Sequence, residues 1–161
     1  MKPGGRNRRA GDRRLRATAE LLDHTMRLIY SQSFVHGLNP AQWGALRYLA
    51  RANESVQTLT HFARAHCVSK AAASDTISAL VRKKLVVRNK DPSDGRVMRI
   101  GLTAEGRGLL DSDPLNLLVD ALEGLLPQQQ VQAAEILAVA ARNVYAAIAG
   151  SSSAPPSPND S

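Results

Sequence analysis

The sequence predicts a mainly α-helical fold with a small two- to three-stranded β-wing, and three observations predict it. Residues Val68 to Thr103 read in order as a helix, two strands joined by a charged hairpin, and the start of another helix. Apolar residues recur at helical spacing near both ends of the chain. Helix-capping residues Asn39, Thr58, Ser69 and Thr103 stand where the helices between those two ends should begin. A helix followed by a basic hairpin is the ground plan of a winged helix-turn-helix. Such a unit presses its helix into a DNA groove while the hairpin grips the flank.

The elements follow in chain order. Residues 1–10 are rich in Gly and Arg and are expected to be a disordered basic arm, mobile until it meets something anionic. Residues 11–36 should form a dimerisation helix, because Leu15, Ala19, Leu22, Met26 and Ile29 recur at steps of four, three, four and three. Gly37 supplies its left-handed end. Residues 37–102 should be the DNA-binding lobe. Asn39-Pro40 starts its first helix, with Asn as cap and Pro at the first position, and Trp43, Leu46 and Leu49 share one face. Thr58 caps a short helix that buries Leu59, Phe62 and Ala63. After the turn at His66-Cys67-Val68, Ser69 caps a helix whose buried stripe is Ala73, Ile77, Leu80 and Val81.

The other face of that helix carries Lys70, Ala71, Ser74, Asp75 and Ser78. It is small and polar, as close approach to base edges requires. Asp94-Gly95 signals a tight hairpin turn, and Met98, Ile100 and Leu102 alternate with Val97, Arg99 and Gly101 as in a half-buried strand. Residues 103–149 should be dimerisation helices. Thr103 caps a long helix that Pro114 kinks or breaks, and Leu115, Leu118, Leu122 and Leu125 continue its apolar face. The last helix, from about Gln128 to Ala149, turns Val131, Ala134, Leu137, Ala141, Val144 and Ile148 inward. Residues 150–161 are Ser/Pro-rich and expected to be a disordered tail.

Charge points to the partner. Up to Arg99 there are 19 basic and 7 acidic residues; beyond it there are 2 and 7. A basic front half suits a polyanion. The single cysteine excludes an intrachain disulfide and fits a reducing compartment. Arg142 interrupts the alanine-rich C-terminal stretch, so no transmembrane segment and no membrane partner are expected. The N-terminus lacks the apolar core of a signal peptide. The expected location is cytoplasmic. No nucleophile motif, phosphate-binding glycine loop or carboxylate pair is present, so the chain is not expected to be an enzyme. His61, His66 and Cys67 do not align on one helix face as zinc ligands would, and neither metal nor cofactor is expected. Cys67, beside His66 and Arg64, reads as a small semi-buried turn residue rather than an oxidation sensor.

These residues resemble the multiple-antibiotic-resistance regulator (MarR) family of bacterial transcription factors over residues 15–149. The resemblance rests on Asp91-Pro-Ser-Asp94-Gly-Arg96 with Ile100-Gly-Leu102-Thr103-Ala-Glu-Gly106, on Leu38-Asn-Pro-Ala-Gln42-Trp43-Gly-Ala-Leu46, and on Phe62-Ala63 through Val68-Ser69. It implies a homodimer built from the first helix and the last two, and a palindromic double-stranded DNA operator. It implies a recognition helix in the major groove and a wing-tip arginine in the minor groove. The expected DNA-binding residues are Thr58, Ser69, Lys70, Ala71, Ser74, Asp75, Ser78, Arg82, Asp94 and Arg96. The resemblance also implies a repressor released by a small aromatic or phenolic effector, for which His24, Arg27, Tyr30 and Trp43 are the candidate contacts.

Three departures from the family pattern carry expectations of their own. Lys84 stands where many relatives have glycine, and implies either a less sharply turned helix end or an extra phosphate contact. Asp75 stands where many have a basic residue. It either accepts from cytosine N4 or pairs with Arg82 or a nearby lysine. Cys67 stands in a turn where glycine is common. A second reading of the whole chain, a basic architectural protein that coats DNA with little sequence preference, would use the Arg-rich N-terminus.

Overall fold

The computed structural model describes residues 4–151. Helix α1 spans Gly4–Ser31, α2 Pro40–Arg51, α3 Leu59–Ala65 and α4 Lys70–Arg82. Strands β1 (Val86–Lys90) and β2 (Met98–Leu102) follow, then α5 (Ala104–Gly108), α6 (Asn116–Glu123) and α7 (Pro127–Ser151). Short 3-10 turns occupy Ser33–His36, Glu54–Val56 and Leu109–Ser112. The architecture is a mainly α winged helix-turn-helix.

Local chemistry explains most of the boundaries. Asn39 and Gln42 form a reciprocal cap: the Asn39 side chain accepts from the Gln42 N–H at 2.9 Å, and the Gln42 side chain accepts from the Asn39 N–H at 3.1 Å. Ser69 Oγ accepts from the Ala72 N–H at 3.1 Å, and Thr58 caps α3 in the same way. Gly37 ends the first 3-10 turn at φ 65°. The hairpin is antiparallel, with Val86 opposite Leu102 and Lys90 opposite Met98. A third, single-bridge edge is added where Thr58 pairs with Arg99 and Ile100 N–H donates to the Gln57 carbonyl at 2.8 Å.

The core sits where α2, α3, α4 and the hairpin meet. Leu38, Trp43, Leu46, Leu49, Ile77, Leu80 and Ile100 are each almost fully buried there. Gly106 closes this core from the α5 side. A Cβ at that position would lie 2.0 Å from the Leu85 carbonyl oxygen, so only glycine lets α5 dock on the start of the wing.

Several expectations are corrected. Helix α1 begins at Gly4, inside the segment 1–10 expected to be a disordered arm; Met1–Pro3 lie outside the described residues. Helix α7 runs to Ser151, two residues into the expected tail, whose remainder (152–161) is likewise outside them. Thr103 does not cap a long helix. α5 lasts five residues and tightens into a 3-10 turn, and the chain turns at Asp113-Pro114 before α6. Met98 is exposed, unlike Ile100 on the same face of β2. Arg142 does not keep α7 below membrane-spanning limits: Pro127–Gly150 is long and apolar enough to cross a bilayer, by length and composition.

The terminal helices pack little against the lobe. Only Ile29 of the predicted α1 stripe is buried; Leu15 is 73% exposed, and Leu22 is exposed too. The α7 residues expected to face inward, Val131, Leu137, Val144 and Ile148, are all exposed in the single chain.

Candidate nucleic-acid interface

The helix-turn-helix is closed at both ends by the same backbone device. After α3, the Val68 N–H donates to the Ala63 carbonyl (3.1 Å) and the Cys67 N–H to the Arg64 carbonyl (3.2 Å). After α4, the Leu85 N–H donates to the Leu80 carbonyl (3.0 Å) and the Lys84 N–H to the Val81 carbonyl (2.9 Å). This pairing needs a left-handed residue at its corner, usually glycine. Here the corners are Cys67 at φ 51° and Lys84 at φ 60°. The Lys84 helix end is therefore as sharply turned as a glycine would make it. Cys67 is exposed rather than semi-buried.

Helix α4 buries Ala73, Ile77 and Leu80 and presents the opposite face outward. Ser69, Lys70, Ala71 and Asp75 are exposed, and Ser74 and Ser78 are half-buried. The wing closes against this face, since Arg88 of β1 donates to Ser78 Oγ at 3.0 Å. Residues 91–97 form the wing loop. Its stem closes where the Asp91 N–H donates to the Val97 carbonyl, and its tip where the Val97 N–H donates to the Asp94 carbonyl, each at 2.9 Å. Gly95 does not adopt a left-handed φ, so the two-residue Asp94-Gly95 turn of the sequence reading is replaced by a wider loop.

The comparisons with known proteins bear on this lobe. Residues 36–97 match the family model of the MarR family. They form a MarR-family winged helix-turn-helix. A probable transcriptional regulator from Pseudomonas aeruginosa is 26% identical, with TM-score 0.57 over 73% of this chain and 91% of that one. Staphylococcus aureus MepR in a DNA complex (23% identity, TM-score 0.62, 80% of this chain and 96% of that one) shares the fold. So does YusO of Bacillus subtilis (23% identity, TM-score 0.57, 86% and 98%). No curated protein matches by sequence. The MarR-family lobe is that of a DNA-binding transcriptional regulator.

Within the MarR-family lobe, the expected contact residues divide by what their side chains already do. Thr58 Oγ1 is engaged by the His61 N–H and by His61 Nδ1 (2.8 Å), and Ser69 Oγ by its cap bond. Among the described residues, the Lys70, Asp75, Arg82 and Arg96 side chains make no hydrogen bond or ion pair. Asp75 thus does not pair with Arg82 or a nearby lysine. Asp94 braces the tip through the backbone, its Oδ1 accepting from the Arg96 N–H at 3.0 Å, which leaves the Arg96 guanidinium free. Arg88 was missed by the sequence reading. It is a strand residue there, and only the hairpin's twist over α4 brings it to Ser78.

The effector candidates do not converge. Trp43 is 1% exposed, in the core against the edge of His36. Arg27 is exposed and tied to Asp23 one turn away, and His24 is exposed on the same helix. Only Tyr30 lines a cleft, of about 620 Å³, between the end of α1, α2, the end of α3 and Leu115. The other polar walls of that cleft are Arg47, Tyr48, Arg51 and His66. Arg47 is neutralised by Asp113 (2.8 and 3.0 Å), and Tyr48 donates to the Val56 carbonyl at 2.8 Å. Burial pushes the Tyr48 hydroxyl above the ordinary tyrosine range. No sequence signal separates these residues from ordinary helix surface, because the cleft is made by tertiary packing.

Proposed function

We propose that the protein is a homodimeric, sequence-specific transcriptional repressor that binds a palindromic operator and is released by a small aromatic or phenolic effector. The observation that carries this reading is the outward face of α4. It is small and polar, holds an unpaired Lys70 and an unpaired Asp75, and is flanked by Arg88 and the free Arg96. Phosphate-directed cations next to a small polar helix face suit a major-groove reader. An unpaired acid on such a face costs affinity for any DNA, so its presence favours a sequence-reading role over coating.

Dimerisation is supported by the exposed apolar residues of α1, α6 and α7, more than a solvated monomer tolerates. Assembly of two copies through these helices would cover the membrane-length α7 without a bilayer. Release by an effector is supported by the Tyr30 cleft, whose walls include Ala65 and His66 at the end of α3, so an occupant would touch the helix-turn-helix directly.

Two substitutions test the reading. Lys70→Ala should lower affinity for all DNA and reduce the salt slope by about one per subunit. Asp75→Ala should leave random-DNA affinity unchanged or tighter while the operator-to-random ratio falls. If Asp75→Ala tightens both equally, Asp75 reads no base and the coating alternative gains.

A further inference from the structure

Asp91 is a nearly buried carboxylate, 7% exposed, at the foot of an otherwise exposed loop. Its Oδ1 accepts from the Ser93 N–H (2.8 Å), the Ser93 hydroxyl (2.5 Å) and the Asp94 N–H (3.1 Å). Its Oδ2 accepts from Arg99 Nε at 2.5 Å. The same guanidinium donates through Nη1 to the Glu54 carbonyl at 2.5 Å. Glu54 lies outside the wing, in the turn between α2 and α3. One carboxylate thus gathers the loop that carries the tip, and its arginine partner ties that loop to the helix-turn-helix.

A hairpin that only had to reverse the chain would not need this arrangement. Asp94-Gly95 could turn in two residues, and a shielded ion pair carries a desolvation cost that an apolar contact avoids. What the knot adds is a fixed angle between wing and lobe. We propose that Asp91 and Arg99 are positioning residues that hold the wing tip at a set orientation to α4, so that Arg96 meets DNA in register with the recognition helix. Neither side chain is offered to DNA itself. The same contacts hold the Asp91 carboxyl well below the usual carboxylate range, so the knot is fully charged at neutral pH. The inference rests on the reading that Arg96 contacts DNA.

Simple electrostatics and the positioning role predict opposite signs. Removing an acid near phosphate should tighten binding, whereas releasing the wing should weaken it. The experiment is a double-mutant cycle by fluorescence anisotropy, on a duplex that the wild-type protein selects from a random library. Arg96→Ala should weaken binding roughly 10- to 100-fold. Asp91→Ala should weaken it by roughly 5-fold or more, and in the Arg96→Ala background by no more than about 2-fold further. Asp91→Asn keeps a neutral acceptor for Ser93 and Asp94 and should show a smaller loss of the same sign, which covers a poorly folded Asp91→Ala. Sedimentation should match wild type. The backbone order parameter of Gly95 should fall from about 0.85 toward 0.6 when the knot is cut. Wild-type affinity for Arg96→Ala would remove the reading beneath the proposal. A loss for Arg96→Ala with none for Asp91→Ala would overturn the positioning role alone. So would two fully additive losses.

Discussion

Replacing Gly106 by alanine should be the most damaging single-methyl change in this lobe. The added Cβ would sit 2.0 Å from the Leu85 carbonyl oxygen and 2.9 Å from its carbon, both of them backbone. Ordinary contact starts near 3.4 Å, so α5 or the start of β1 must move by more than about 1 Å. That motion strains three bonds at once. Thr103 N–H donates to the Leu85 carbonyl (3.1 Å), Thr103 Oγ1 donates to the Lys84 carbonyl (2.9 Å), and the Gly106 N–H donates to Thr103 Oγ1 (2.9 Å). Overpacking costs about 1–3 kcal/mol, and the lost cap and backbone bond about 1 kcal/mol each. The expected loss is about 3–5 kcal/mol, against a total stability on the order of 5–15 kcal/mol. Urea unfolding followed by circular dichroism, at fixed protein concentration, measures it. Gly108→Ala is the control. It is helical (φ −63°, ψ −29°), and nothing lies within 4 Å of its new Cβ. It should gain about 0.5 kcal/mol. A Gly106→Ala protein within about 1 kcal/mol of wild type would refute the argument.

Lys84→Gly should raise stability by about 0.5–1 kcal/mol in the same assay, because it relieves a left-handed φ at a non-glycine corner; a loss would mean the side chain packs favourably. The Asp91 carboxyl is held below its ordinary range, so its stabilisation is present above the unfolded carboxylate value and lost as pH falls through the folded one. The melting difference between wild type and Asp91→Asn should therefore hold from pH 7 to about pH 5 and shrink only below about pH 4; a difference that vanished near neutrality would exclude this cause. The chain should sediment as a dimer at micromolar concentration, with an interface on the order of 2,000 Å²; a clean monomer would remove the role proposed for α1, α6 and α7.

Much of this fold is legible in the sequence because it is written locally. Asn39, Thr58, Ser69 and Thr103 each announce a helix start by a side-chain bond that spans three residues. The buried stripe of α4 follows from period alone. Other features are not local. Cys67 and Lys84 adopt the conformation of glycine at the backbone bonds that close α3 and α4, which their residue types do not advertise. Asp91 looks like one more turn aspartate until Arg99 and Glu54 arrive from elsewhere in the chain. Trp43 lies on a helix expected to line an effector pocket, yet its bulk is buried in the core, which its place on that helix does not announce. The polar face of α4 was readable as a face, but the split between occupied Ser69 and Ser78 and free Lys70 and Asp75 required the caps and Arg88 in place.

The proposed function stands on this lobe reading base sequence. Selecting bound duplexes from a random library, then measuring affinity for the winner and for random DNA at two salt concentrations, tests it most directly. Enrichment of a palindrome with half-sites about one helical turn apart is expected. So is an affinity ratio of about 10³ or more that persists as salt rises. A library that emerges unenriched, with binding that tracks salt alone, would contradict it.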